Sequence, residues 1–213
     1  MAVIKNNFMT ISGKMGDHVY YEYKGLPCVR SNPQKVQPPS SPGQLAQQEK
    51  MAAVAIFYQA LKEVGIYAYW KKAAEGLLLT GHNLLVKANL PAFDGEGNIC
   101  DFAKLRLTPD TLAAPDNLSL QAGEDGKLIA RWSNAVPHPR TQPEDRLVVA
   151  LMKGDVENYN VKLPDIGDFH RQDEEAIFQI PDKLKRYEKI FMFFINEQAC
   201  QCSSAQLFHF KNL

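Results

Sequence analysis

Thiols are scarce in this sequence. Four cysteines, Cys28, Cys100, Cys200 and Cys202, occur in 213 residues, too few and too unevenly placed for a disulfide framework, so reduced thiols are expected. Cys200 and Cys202 form a C-x-C that would point to one face of a strand, but no second pair stands nearby and only His209 could help. Zinc normally takes four ligands at recognisable spacings, so no metal site is expected. Long apolar runs are also missing. No stretch of about 18 apolar residues could span a membrane, and the start MAVIKNNFMTISGK lacks the apolar centre of a secretory signal. The expected location is therefore cytoplasmic, or virion-associated if the chain is phage-derived.

Net charge is absent too. The 24 basic and 24 acidic side chains cancel, so no global field steers the chain toward nucleic acid or an anionic surface. The halves differ: up to Leu90 there are ten Lys and Arg against five Asp and Glu, and the remainder is correspondingly acidic. The sequence has no G-x-S-x-G elbow, no G-x-x-x-x-G-K-[ST] phosphate loop, no G-x-G-x-x-G after a strand and no H-E-x-x-H. With consecutive Asp173, Glu174 and Glu175 read as a solvated loop, no enzyme activity, catalytic residue or cofactor is expected.

What is present begins with GDHVYYEYKGLPCVRS, Gly16 to Ser31. Val19, Tyr21 and Tyr23 alternate with His18, Tyr20 and Glu22, the period of a strand with two different faces. Lys24-Gly25 suits a primed two-residue turn, which pairs Tyr23 with Leu26, Tyr21 with Cys28 and Val19 with Arg30. Pro27 then falls opposite Glu22, where its missing N–H faces outward, so Leu26 to Arg30 is expected to be an edge strand. Tyrosines among Lys14, Lys24, Arg30 and Lys35 have the makings of a single-strand nucleic-acid surface. The same tyrosines also suit a ribbon that packs on the chain's own helices through its Val19, Tyr21 and Tyr23 face, leaving Lys24 and Arg30 near solvent.

NPQKVQPPSSPGQ reads as a stiff, polar connector with four prolines. It ends in Ser41, Pro42 and Gln44, a capping box opening a helix to about Val64. Met51, Val54, Tyr58 and Leu61 form one apolar stripe of that helix, with Ala53, Phe57, Ala60 and Val64 beside it. Gly65 interrupts, IYAYWKKAAEG is a short helical piece holding Trp70, and LLLTGHNLLVKANL is a second main helix closed by Pro91. His82 is expected to be structural. Asp94, Glu96, Asn98 and Asp101 resemble a calcium loop but miss its required glycine and glutamate, so a polar turn is expected, then a short strand from Lys104 to Leu107.

From Asp116 onward strands and turns alternate: NLSLQ, KLIARWS, DRLVVALMK, VENYNVKL, EEAIFQI, EKIFMFFINE and SSAQLFHF. These seven strands, with Trp132 closing the second, resemble a fibronectin type III domain. In the sixth, Ile190, Met192 and Phe194 face one way and Phe191, Phe193 and Ile195 the other, so both faces are apolar. Something must cover the second face, either the helices or another subunit. The expected fold is α+β: residues 1–112 a β-hairpin plus helical region with a short closing strand, and residues 113–213 a seven-stranded fibronectin type III-like (immunoglobulin-like) sandwich.

One set of residues spans nearly the whole chain: MAVIKN, Ser12-Gly13-Lys14-x-Gly16, Tyr21, Lys24-Gly25, Val29-Arg30-Ser31, Pro42 and Gln44-Leu45-Ala46-Gln47, continuing through Asn83, Lys87, Asn89 and DFAKLRLTPDTL. In these the chain resembles an uncharacterised family of Bacteroidota catalogued as a domain of unknown function, a resemblance that implies no catalytic residues. The expected function is a non-catalytic protein-interaction or assembly module, in one version a phage-derived or mobile-element structural component. Its partner is then a protein or a second copy, over a surface drawn from Tyr20, Lys24, Arg30, Trp70, Phe191 and Phe193. The alternative is a nucleic-acid-binding accessory protein using the basic front half.

Overall fold

The computed structural model describes residues 2–3, 11–33, 38, 41–134, 138–155 and 158–210. The chain forms two compact units, Met1–Ser41 and Pro42–Leu213. The division expected at residue 112/113 falls inside the second. The Pro-rich connector expected between hairpin and helix lies largely outside the described residues, as do Lys35 and most of MAVIKN.

The first unit is an antiparallel sheet of β1 (Ala2–Val3), β2 (Gly13–Met15), β3 (His18–Tyr23) and β4 (Leu26–Ser31), in the order β1-β4-β3-β2. Lys24 and Gly25 both take positive φ, 50° and 77°, the conformation that lets a two-residue turn follow the right-handed twist of its strands. That turn sets the register. Tyr23 pairs with Leu26, Glu22 with Pro27, Tyr21 with Cys28 and Val19 with Arg30, as the sequence implies. The expectation of an edge strand is corrected, because β1 pairs with β4 at Val29 and Cys28.

The second unit has three layers. The helices are α1 (Pro42–Glu63), α2 (Tyr67–Ala73) and α3 (Gly81–Asn89). Strands β5 (Asp116–Ala122), β6 (Leu128–Ser133) and β9 (Glu175–Phe178) form one antiparallel sheet in the order β5-β6-β9. A second holds β7 (Arg146–Asp155), β8 (Asn158–Lys162), β10 (Lys189–Asn196), β11 (Gln201–Cys202) and β12 (Gln206–His209). There β10 lies between β7 and β11/β12, and β8 pairs beyond β7.

The second sheet is the middle layer. Ile190, Met192 and Phe194 of β10, beside Leu151, Val149 and Leu147 of β7, join Leu118, Leu128, Ala130 and Trp132 in the core between the sheets. Phe191, Phe193 and Ile195 point the other way, into a separate core with Val54, Phe57 and Leu61 of α1 and Trp70 of α2. The helices thus supply the cover that the second apolar face requires. Burying each such side chain is worth about 1.5–3 kcal/mol. Phe57, Phe93 and Tyr159 lock α1 to β8 through tilted and edge-on ring contacts of 5.9–6.3 Å.

Local departures have local causes. Helix α3 begins at Gly81, not within Leu77–Leu79, because Thr80 caps it: the Thr80 side chain accepts from the Asn83 N–H at 3.1 Å. The buried stripe of α1 is Ala53, Val54, Phe57, Ala60 and Leu61; Met51 of the expected stripe is exposed. No strand forms at Lys104–Leu107. There the buried Asn89 side chain takes the place of a neighbouring strand, donating to the Arg106 carbonyl at 3.0 Å and accepting from its N–H at 2.8 Å. The chain meets a sheet edge slightly later, where the N–H groups of Thr111 and Leu112 both donate to the Cys202 carbonyl.

Candidate functional site

Three residues of the expected interaction surface are interior. Trp70, Phe191 and Phe193 are 1–2% exposed, and the Trp70 indole donates to the Leu107 carbonyl at 2.8 Å. These side chains hold the helical layer to the sheet, so they are withdrawn from the surface. Lys24 and Arg30 are exposed and Tyr20 is half-buried. These three do not converge: Arg30 lies opposite Val19, so the alternation of β3 sends Tyr20 to the other face, and Lys24 sits in the turn.

The register also sorts charge. Lys14 and Arg30 both lie opposite Val19, on the face of Tyr21 and Tyr23, whereas Glu22, His18 and Met15 occupy the reverse face with Tyr20. Cys28 is the one buried residue among the described side chains of this unit.

One polar site was not foreseen. At one end of the two packed sheets, Asp145 and Arg171 form an ion pair with side chains 0% and 6% exposed, Nε donating to Oδ2 at 3.2 Å. Arg171 Nη2 also donates to the Ala113 carbonyl at 2.8 Å, and the guanidinium lies 4.6 Å over the Phe194 ring. Asp145 accepts further from the Gln142 N–H and the Asn196 side chain, at 2.9 and 3.1 Å. The Arg171 carbonyl accepts from the Trp132 indole and the Asn134 amide. Burial pulls the guanidinium below its ordinary pKa, and the neighbouring Asp145 charge opposes that. Residues 26 apart in sequence give no periodic signal, so this pair could be suspected only from a lone arginine near the start of a strand.

Arg171 opens on a cavity of about 430 Å³ that also receives Asp116, Ser133, Asn134, His138 and Glu174. Among the described residues Asn134 Oδ1 is buried there without a partner. A second, half-open hollow of about 590 Å³ lies where the helical corner at Gly65 meets the middle sheet. Phe193 and Ile195 contribute to its wall, yet they remain 1% and 5% exposed. Its charged rim carries Arg146, which is paired with Glu197 at 2.5 Å. Tyr69 in the same wall has its phenol pushed up to about 12, first by burial and then by the nearby thiols and Glu197.

Groups that looked chemical in the sequence have structural occupations. Cys200 is in a turn with φ 50° and only Cys202 is in β11, so the two do not share a strand face. Burial pushes the Cys202 thiol up to about 12, which suppresses the thiolate needed for nucleophilic or metal chemistry. Asp94 accepts from the N–H groups of Glu96 and Asn98 at 2.9 and 2.8 Å, the polar turn anticipated. In the acidic run, Asp173 accepts from the His170 N–H, Glu174 from the Asn134 N–H, and Glu175 pairs with Arg131. His82 stacks edge-on against Tyr58 at 4.7 Å. Among the described residues no group of three or more His, Cys, Asp or Glu is placed to hold a metal ion, and no helix is long and apolar enough to cross a membrane.

The family model that matches residues 10–206 is described as a family of unknown function, DUF6266. No curated protein and no solved structure matches the chain.

Proposed function

The chain belongs to this family of unknown function, and we propose that it is a non-catalytic interaction module that self-associates through its N-terminal ribbon. The observation that carries this reading is the contrast between the units. The second encloses two separate cores, whereas the first is a four-stranded sheet with Cys28 as its one buried described side chain and with Ile11 and Met15 exposed. A sheet of short strands gains stability by packing a face on something. The strand order supports a fibronectin type III-like scaffold as part of this reading: the antiparallel sheet β5-β6-β9 faces a five-stranded antiparallel sheet in which β10 lies between β7 and β11/β12 and β8 lies beyond β7, two packed antiparallel sheets as such a sandwich requires.

The test is molar mass by light scattering from roughly 1 µM to 1 mM. Mass that grows with concentration, and growth suppressed in a Met15→Asp/Tyr20→Ser variant, supports the reading. A monomer throughout removes it.

A second reading, single-stranded nucleic-acid binding, is favoured by one observation: Lys14 and Arg30 share a face with two tyrosines while Glu22 is on the reverse. The half-burial of Tyr21 and Tyr23 counts against base stacking. Retention on single-stranded DNA that falls steeply with salt supports this reading, and no retention at low salt dismisses it.

A further inference from the structure

We propose that the cavity at Arg171 binds a small zwitterion, a free α-amino acid or a close relative carrying one carboxylate and one ammonium group. The carboxylate anchor is already in place. Arg171 is held from three sides, by Asp145, by the Ala113 carbonyl and by the Phe194 ring, so it loses little rotamer freedom when a ligand arrives. Among the described residues its side-chain bonds leave from Nε and Nη2. Nη1 makes no hydrogen bond among the described residues, which leaves N–H donors for a ligand carboxylate.

The same cavity carries the opposite sign. Asp116 and Glu174 are exposed in its lining, and the charge of Asp116 is felt at Arg171. Among the described residues neither carboxylate has an ion-pair partner; Glu174 accepts one backbone N–H, from Asn134. A simple anion would be repelled by these two carboxylates, and a simple cation, although drawn to them, would leave the remaining N–H donors of the paired Arg171 without an acceptor. A neutral polyol would leave the charges of Asp116 and Glu174 unanswered. A molecule with both charges a few bonds apart answers both. Ala113, Ala114 and Pro115 give the lining an apolar portion for a short side chain, and about 430 Å³ is within the range of small-ligand cavities. The proposal is independent of the ribbon's role.

The experiment is thermal unfolding and titration calorimetry of the full chain with free L-α-amino acids added singly. The N-acetyl and amide derivatives of the same residues serve as controls. At least one amino acid raises Tm progressively with concentration, and derivatives lacking either charge do not. An Asp116→Asn/Glu174→Gln variant, altered only at exposed positions, weakens binding about tenfold or more. The proposal is overturned if no amino acid shifts Tm or gives heat up to about 10 mM. It is equally overturned if the derivatives bind as well as the parent, a comparison made on the unaltered chain and so independent of whether the variant folds.

Discussion

At the scale of single residues, the Arg171–Asp145 pair is the most exacting feature. Removing one partner strands the other charge in the interior, so Asp145→Ala is expected to cost about 3–5 kcal/mol in a denaturant melt. An Asp145→Leu/Arg171→Met double variant recovers much of that loss, because two apolar side chains strand nothing. Lys24 is the opposite case. It holds φ 50° in the ribbon turn, a region that disfavours L-residues other than Asn, Asp and Gly. Lys24→Asn should raise stability by roughly 0.5–1 kcal/mol. Asp94 gives a pH signature. The Asn98 N–H, ahead of the Glu96 N–H, holds its carboxyl below the usual aspartate range. A depressed folded pKa means that the contribution is present above the unfolded value near pH 4 and is lost as pH falls through the folded one. Melts from neutral pH downward should show Asp94→Ala losing less stability on acidification than the parent.

At the scale of elements, the crossing of α2 and α3 depends on Gly81. A Cβ there would come within 2.8 Å of the Lys71 backbone, closer than real side chains approach, and backbone cannot swing aside. Gly81→Ala should therefore lower Tm despite alanine's better helix propensity, with a cost of about 1–3 kcal/mol. What the sequence disclosed follows the range of the forces involved. The ribbon register was legible because a two-residue turn and one proline determine it locally. The doubly apolar β10 was legible because a strand without a polar face has to be an interior layer. The strand expected at Lys104–Leu107 did not form because its hydrogen bonds go to the Asn89 side chain, a partner 17 residues away that carries no periodicity. Trp70 was expected on the interaction surface, but its indole finds Leu107, 37 residues on. The Arg171 cavity was illegible for the same reason. Its walls come from segments between Ala113 and Glu174 that only the fold brings together.

At the scale of the molecule, the three-layer unit is the minimum that satisfies the middle sheet. Both of its cores are drawn from residues from Ala53 onward, so a fragment spanning 42–213 is expected to unfold cooperatively by circular dichroism. A fragment spanning 113–213 removes the helices and bares Phe191 and Phe193, and it should aggregate or bind a hydrophobic dye. A stable, monomeric 113–213 fragment would contradict the layered account. Because β10 is flanked by β7 on one side and by β11 and β12 on the other, with a core above and another below, no partial opening exposes its amides. In deuterium exchange these protons should be the slowest in the chain, released only when every layer parts at once. Their rate then reads out the stability of the whole second unit, measurable without adding a denaturant.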